Sequence, residues 1–191
     1  MRACSVVLAV FLSFASAPAG ENPQVFAYVD FDPPNRVHRV DPQLYDVVPA
    51  YFMLDCLEGG FYNISFAVHV TPEMSLNTGY QGLLPNQLSV GDFEEGIILS
   101  TSGDTCLIDN PFAFAVAHIV YSGTPGDVMI LDHPVWPRWV VDCHEPTPEV
   151  DYYCLLSHGG VGKDPVPTGE VCGCPSPVQD TSWGSIKALF R

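Results

Sequence analysis

The chain has 191 residues, of which 22 are acidic, 7 are Lys or Arg, and 7 are Cys, for a formal net charge of −15. A field of that sign repels phosphate backbones and anionic lipid, so neither nucleic acid nor the membrane surface is expected as a partner. A cation, or a neutral partner such as a glycan or another protein, is easier to accommodate.

Arg2 supplies a positive start, Val6 to Phe14 is an almost unbroken apolar run, and Ala17-Pro18-Ala19 forms a small-residue exit. This is the layout of a secretory signal peptide over residues 1–19, cleaved after Ala19. The run is too short to span a bilayer, which takes about 20 residues, and no membrane insertion is expected once it is removed. Export to the medium or the cell surface is therefore expected, and the 172 residues left are the size of one domain, here residues 20–174.

Strand signals follow in order: Val25 to Phe31, Val48 to Leu54, then Phe61 to Val70 with clean alternation. In that third run Tyr62, Ile64, Phe66, Val68 and Val70 share one face while Asn63, Ser65 and His69 share the other. Gly96 to Ser100, Phe112 to Tyr121, Asp127 to Leu131, Trp139 to Asp142 and Tyr152 to Leu156 read as further strands. In Phe112 to Tyr121 the spacing puts Phe112, Phe114, Val116 and Val120 on one side, with Ala113, Ala115 and Ala117 on the other. Pro49 confines its strand to an edge, a bulge or a strand start. Turn clusters stand between the runs, for example Asp32-Pro33-Pro34-Asn35 and Ser122-Gly123-Thr124-Pro125-Gly126. Many short strands without a long helical period predict an all-β, mostly antiparallel β-sandwich, immunoglobulin-like or cohesin-like.

Cys4 leaves with the signal peptide, and Cys56, Cys106, Cys143, Cys154, Cys172 and Cys174 remain. An even number in an oxidising compartment reads as three disulfides, with 15 possible pairings. The expected arrangement joins Cys56 to Cys106 and leaves the four later cysteines to staple the C-terminal third. With one residue between them, Cys172 and Cys174 suit two different partners.

A Pro-rich connector over residues 175–180 leads to an amphipathic tail, 181–191. Trp183, Ile186 and Phe190 fall on one helical stripe, with Thr181 or Ser182 as N-cap. So short a helix needs a surface to dock on, or it serves as a sorting signal. The ending Trp183-Gly184-Ser185-Ile186-Lys187-Ala188-Leu189-Phe190-Arg191 resembles that of a group of poorly characterised secreted bacterial β-sandwich proteins. Their chains close with Trp-Gly-x-Ile/Val-Lys-x-Leu/Tyr, an aromatic residue and Arg. The resemblance implies a bacterial exported protein and supplies no catalytic residues.

No complete catalytic motif is present. His144-Glu145 is followed by Pro146 and Pro148, which rule out the helix of H-E-x-x-H. Ser157-His158-Gly159-Gly160 lacks G-x-S-x-G and reads as a glycine-rich turn between strands. Paired C-x2-4-C or H-x3-5-H spacing for zinc is missing, so no metal or cofactor is expected. A structural calcium ion on acidic strand ends, such as Asp30 with Asp32, is the one exception considered. His118 reads as a core or strand-end histidine. Trp136, Arg138 and Trp139, around Pro134 and Pro137, are the best contact patch, because tryptophan faces on a rigid loop suit glycan and peptide recognition.

The sequence thus points to a secreted, non-catalytic binding or surface-structural module engaging a glycan or protein at the cell exterior. The alternative is a secreted metal-dependent or acid/base hydrolase in which Asp132, His133, Asp142 and His144 converge.

Overall fold

The computed structural model describes residues 24–33, 35–71, 75–102, 105–143, 148–164 and 166–170. Its strands in chain order are β1 (Phe26–Asp30), β2 (Arg39–Val40), β3 (Val47–Asp55), β4 (Asn63–Val70), β5 (Ser75–Gly82), β6 (Gln87–Asp92), β7 (Gly96–Thr101), β8 (Phe112–Tyr121), β9 (Gly126–Leu131), β10 (Trp139–Val141), β11 (Val150–Tyr152), β12 (Cys154–Ser157) and β13 (Gly159–Val161). The described residues contain strands and no helix, and the expected C-terminal helix with Trp183, Ile186 and Phe190 lies outside them.

Two sheets face one another. One is five-stranded in the order β12-β1-β3-β8-β5; the other holds eight strands, with β11-β10-β4-β9-β13-β2 in line and β6 and β7 branching from β4. The branch arises because Asn63–Phe66 of β4 pair with β7, whereas Ala67–Val70 pair with β9. Pairing is antiparallel except for β1 with β12 and β2 with β13. The fold is an antiparallel β-sandwich, as the alternation predicts.

The core forms where the inward residues of both sheets meet. Ile64, Phe66 and Val68 of β4 are fully buried against Phe52 of β3 and Phe114 of β8. The Phe114 ring lies 4.8 Å from Phe66 and 6.3 Å from Phe52, so one side chain ties the sheets together. Each such ring contributes about 1.5–3 kcal/mol through burial.

Three local departures have clear causes. In β8 the register shifts opposite Phe52 and Met53, so the face changes phase there. Phe114 stays in the core, but Ala115, Ala117 and Ile119 then point inward. Val116 and His118 fall on the opposite face from the one their spacing suggests, with His118 opposite Pro49. A β-bulge adds one residue and inverts everything beyond it. Pro49 sits within β3, a strand between two neighbours, yet β1 pairs only with Tyr51–Asp55. At Pro49 the strand is flanked by β8 alone, which accommodates the missing N–H. The Gly159-Gly160 pair begins β13 rather than a turn; a Cβ on Gly159 would lie 2.7 Å from both Phe31 and Val29.

The cysteine pairing also differs from expectation. Cys106 bonds to Cys143, with Cα atoms 5.7 Å apart, so the Cys56–Cys106 bridge does not form and Cys143 does not join a purely C-terminal cluster. Phe61 and Leu107 exchange backbone hydrogen bonds, which anchors the loop carrying Cys106 at the start of β4. Cys56 and Cys154 are disulfide-bonded as well. Cys172 and Cys174 lie outside the described residues.

Candidate functional site: an apolar outer face

Opposed residues of antiparallel strands share a face, which fixes what the second sheet shows to solvent. Val140 of β10 pairs with Ile64 of β4, and both are fully buried in the core. Their neighbours Val141 and Asn63 therefore face outward together. The same register aligns Ser65 with Ile98 and Ile98 with Val90, then Asn63 with Ser100 and Ser100 with Leu88. On the other side, Trp139 stands opposite Tyr152, and Val141 opposite Val150. The outer face of β6-β7-β4-β10-β11 is thus largely apolar. Val90 is 69% exposed, Tyr152 64% and Leu88 59%.

The segment between β9 and β10 folds onto this face, held by Ser65. Its hydroxyl donates to the Trp136 carbonyl at 2.5 Å and accepts from the Trp139 N–H at 3.0 Å. Tyr153 in turn donates its buried hydroxyl to the Ser65 carbonyl at 2.9 Å. Trp136 and Trp139 lie with ring centroids 6.2 Å apart, and with Ile98, Val141, Asn63 and Ser65 they border a hollow of about 210 Å³. Asn63 Oδ1 is buried without a hydrogen-bond partner among the described residues.

The contact residues named from sequence divide. Trp136 and Trp139 belong to the face. The Arg138 guanidinium is ion-paired within the chain, to Asp132 at 2.6 Å and to Glu170 at 2.8 Å. These bonds, the one to Asp132 first, hold the guanidinium firmly protonated. Arg138 also has φ of 58°, so it serves as the corner that presents the two indoles.

The hydrolase residues that are described each have a separate local task. His133 is buried, and its Nδ1 accepts the N–H groups of Val135 and Trp136, both at 3.1 Å. Burial lowers its pKa, so the neutral ring is favoured. Asp142 is fully buried and accepts the Glu149 N–H at 2.7 Å, closing the segment after β10. His144 lies outside the described residues. Ser157 comes within 3.1 Å of His38 Nδ1, but that nitrogen also lies 2.6 Å from the Val29 carbonyl and must carry the proton donated there. It cannot accept the serine proton.

Acidic strand ends are likewise occupied. The fully buried Asp30 carboxylate accepts the N–H groups of Asp32, Arg36 and Val37 at 2.9–3.0 Å, so it shapes the turn after β1. Among the described residues no group of three or more His, Cys, Asp or Glu side chains is placed to hold a metal ion.

Leu88, Val90, Ile98 and Tyr152 were not identifiable as surface residues from sequence. Alternation in Gln87–Asp92 marks Leu88 and Val90 as sharing a face, but not which face.

The fold matches that of solved cohesin modules. The sixth cohesin of Acetivibrio cellulolyticus scaffoldin B, solved in complex with a mutant Cel5 dockerin, aligns with a TM-score of 0.52 at 14% identity, over 72% of this chain and 96% of that one. A cohesin–dockerin complex from Clostridium thermocellum gives 0.51 at 12% identity, covering 76% and 96%. A type II cohesin domain from the Acetivibrio cellulolyticus cellulosome gives 0.51 at 10% identity, covering 75% and 98%. At such identities the likeness is one of fold. No protein-family model and no curated protein matches the chain.

Proposed function

We propose that the protein is a non-catalytic protein-binding module, exported to the medium or the cell surface, that docks its partner on the outer face of β6-β7-β4-β10-β11. The observation that carries this reading is the continuous solvent-facing apolar surface from Leu88 and Val90 to Tyr152. Contiguous apolar patches on a protein surface mark interaction sites. The two tryptophans at its centre are the residue type that dominates such interfaces. Exposed Asp92, Glu94 and Glu95 at the β6–β7 turn favour a partner whose apolar patch is rimmed by Lys or Arg. The fold supports the reading, since two of the cohesins it resembles were solved with dockerins bound.

A glycan is the weaker occupant, because the hollow exposes few polar atoms to sugar hydroxyls. The test compares the wild-type module with a Val90→Asp/Tyr152→Asp variant, both immobilised, against the exported proteins of the native source and an oligosaccharide array. Selective loss of a captured protein supports the proposal. Identical protein capture by both forms, or binding confined to glycans, rejects it. Export is checked separately by the N-terminus of the mature protein, expected at Gly20.

A further inference from the structure

The hollow bordered by Trp136 and Trp139 has a fixed floor and braced walls. Ile98 of β7 and Val141 of β10 stand on either side of β4, opposite Ser65 and Asn63, and supply an aliphatic floor. The two indoles rise beside it with their planes 49° apart. Behind Trp136 lies the His133 ring, 5.2 Å away between centroids, whose Nδ1 accepts the Val135 and Trp136 N–H groups. Gly96, with φ of 124°, lets this loop rest directly on β7, since a Cβ there would fall 2.6 Å from Pro134 and 3.0 Å from the His133 ring. Ser65 fastens the other end through the Trp136 carbonyl and the Trp139 N–H. The hollow therefore exists before a partner arrives, and no loop has to be ordered on binding.

Size, polarity and charge narrow what can enter it. The volume is about 210 Å³, and an apolar cavity of about 150 Å³ takes up benzene, so one substituted aromatic ring fills the space. The Ser65 hydroxyl is engaged inside the chain at both its donor and an acceptor site, and the other walls are mostly hydrocarbon. A charged side chain would lose its water there without replacement. Two inclined indoles present a face and an edge, the arrangement that an aromatic ring packs against best. Outside the hollow the sign of the charge is set by exposed Asp92, Glu94 and Glu95, on the turn that joins the strands carrying Val90 and Ile98. That rim attracts a cationic neighbour of the entering ring.

We propose that the partner is anchored by a single aromatic side chain, flanked by Lys or Arg, seated in the Trp136–Trp139 hollow. This anchor presupposes docking on the β6-β7-β4-β10-β11 face and names the residue type that holds the partner there. Aromatic anchors in a central pocket carry much of the energy of an interface, while the contacts around them exclude water. Leu88, Val90 and Tyr152 are the exposed apolar residues placed to form that surround.

The test titrates the isotope-labelled full chain with N-acetylphenylalanine amide, N-acetylleucine amide and N-acetyllysine amide, and follows the indole N–H resonances of Trp136 and Trp139. The aromatic probe should shift both resonances saturably, the leucine probe should bind at least about threefold more weakly, and the lysine probe should leave them in place. Ile98→Phe puts a ring of the chain's own into the hollow and should abolish the shifts while the amide resonances of the five-stranded sheet stay as in the wild type; Val141→Phe replaces it if that variant does not fold. Absence of a saturable shift, leucine binding as tight as phenylalanine, or undiminished shifts in the folded variant overturns the anchor. Capture of the exported partner separates this failure from that of the docking face. Capture weakened about tenfold or more by the ring-filling variant supports the anchor. Capture lost only in Val90→Asp/Tyr152→Asp overturns the anchor and keeps the face, and capture retained by both variants rejects the face. Probe binding by a wild-type module that captures no protein assigns the hollow to a free aromatic ligand and overturns the anchor.

Discussion

The hydroxyl of Ser65 and the backbone of Trp139 are joined by an N–H to Oγ hydrogen bond of 3.0 Å, and the same hydroxyl donates to the Trp136 carbonyl. One small side chain on β4 thereby sets the position of two indoles on the outer face. Ser65→Ala removes both bonds and leaves a buried N–H unpaired, at a cost of about 1–3 kcal/mol. The expected outcome is a lowered melting temperature together with a red-shifted tryptophan emission as the segment loosens. An unchanged emission spectrum would show that the indoles are held by other contacts.

His133 links that segment to pH. Burial depresses its pKa below the ordinary 6.5, so the unfolded chain binds more protons than the folded one as pH falls through that value. Its contribution is complete above pH 6.5 and is lost as pH falls toward the lower folded value, where protonation of Nδ1 ends its acceptance from Val135 and Trp136. Chemical denaturation at several pH values should show a flatter dependence in His133→Gln than in the wild type. Equal slopes would remove His133 from the account.

The Asp30 carboxylate is engaged by three backbone N–H groups of the turn after β1. Its three N–H bonds are replaced by nothing in Asp30→Ala, which should destabilise the protein by about 3 kcal/mol or more. Calcium or a chelator should leave the melting temperature of the wild type unchanged. A calcium-dependent increase that disappears in the variant would reverse the assignment.

Removing the Cys106–Cys143 bridge by a double serine substitution releases a 37-residue separation in the unfolded chain and should cost about 3–4 kcal/mol. Equilibrium denaturation of the pair of proteins measures the difference. No change would mean that the Phe61–Leu107 pairing alone holds that loop.

Much of this architecture is legible in the alternation of residues. Phe112–Tyr121 is a strand with the bounds its sequence suggests, and the inward set of Asn63–Val70 follows directly from Ile64, Phe66 and Val68. The strands that sequence reading misses fail for physical reasons. Ser75–Gly82 is polar and glycine-containing, Gln87–Asp92 has its apolar residues turned to solvent, and Gly159–Val161 uses glycines for close packing that resemble a turn. Trp136 and Trp139 could be singled out because paired tryptophans among prolines are visible locally. The rest of the face could not, since Val90, Ile98 and Ser65 meet only through long-range pairing. The ion pairs of Arg138 were equally hidden, since only the fold brings Asp132 and Glu170 beside it.

The central claim concerns which sheet meets the partner, and amide hydrogen exchange with and without the captured protein reads it directly. The account predicts slowed exchange in residues 87–101, 63–65, 139–141 and 150–152, with β1 and β3 unchanged. Protection concentrated on the five-stranded sheet, with the β6-β7-β4-β10-β11 face exchanging as in the free protein, would contradict it.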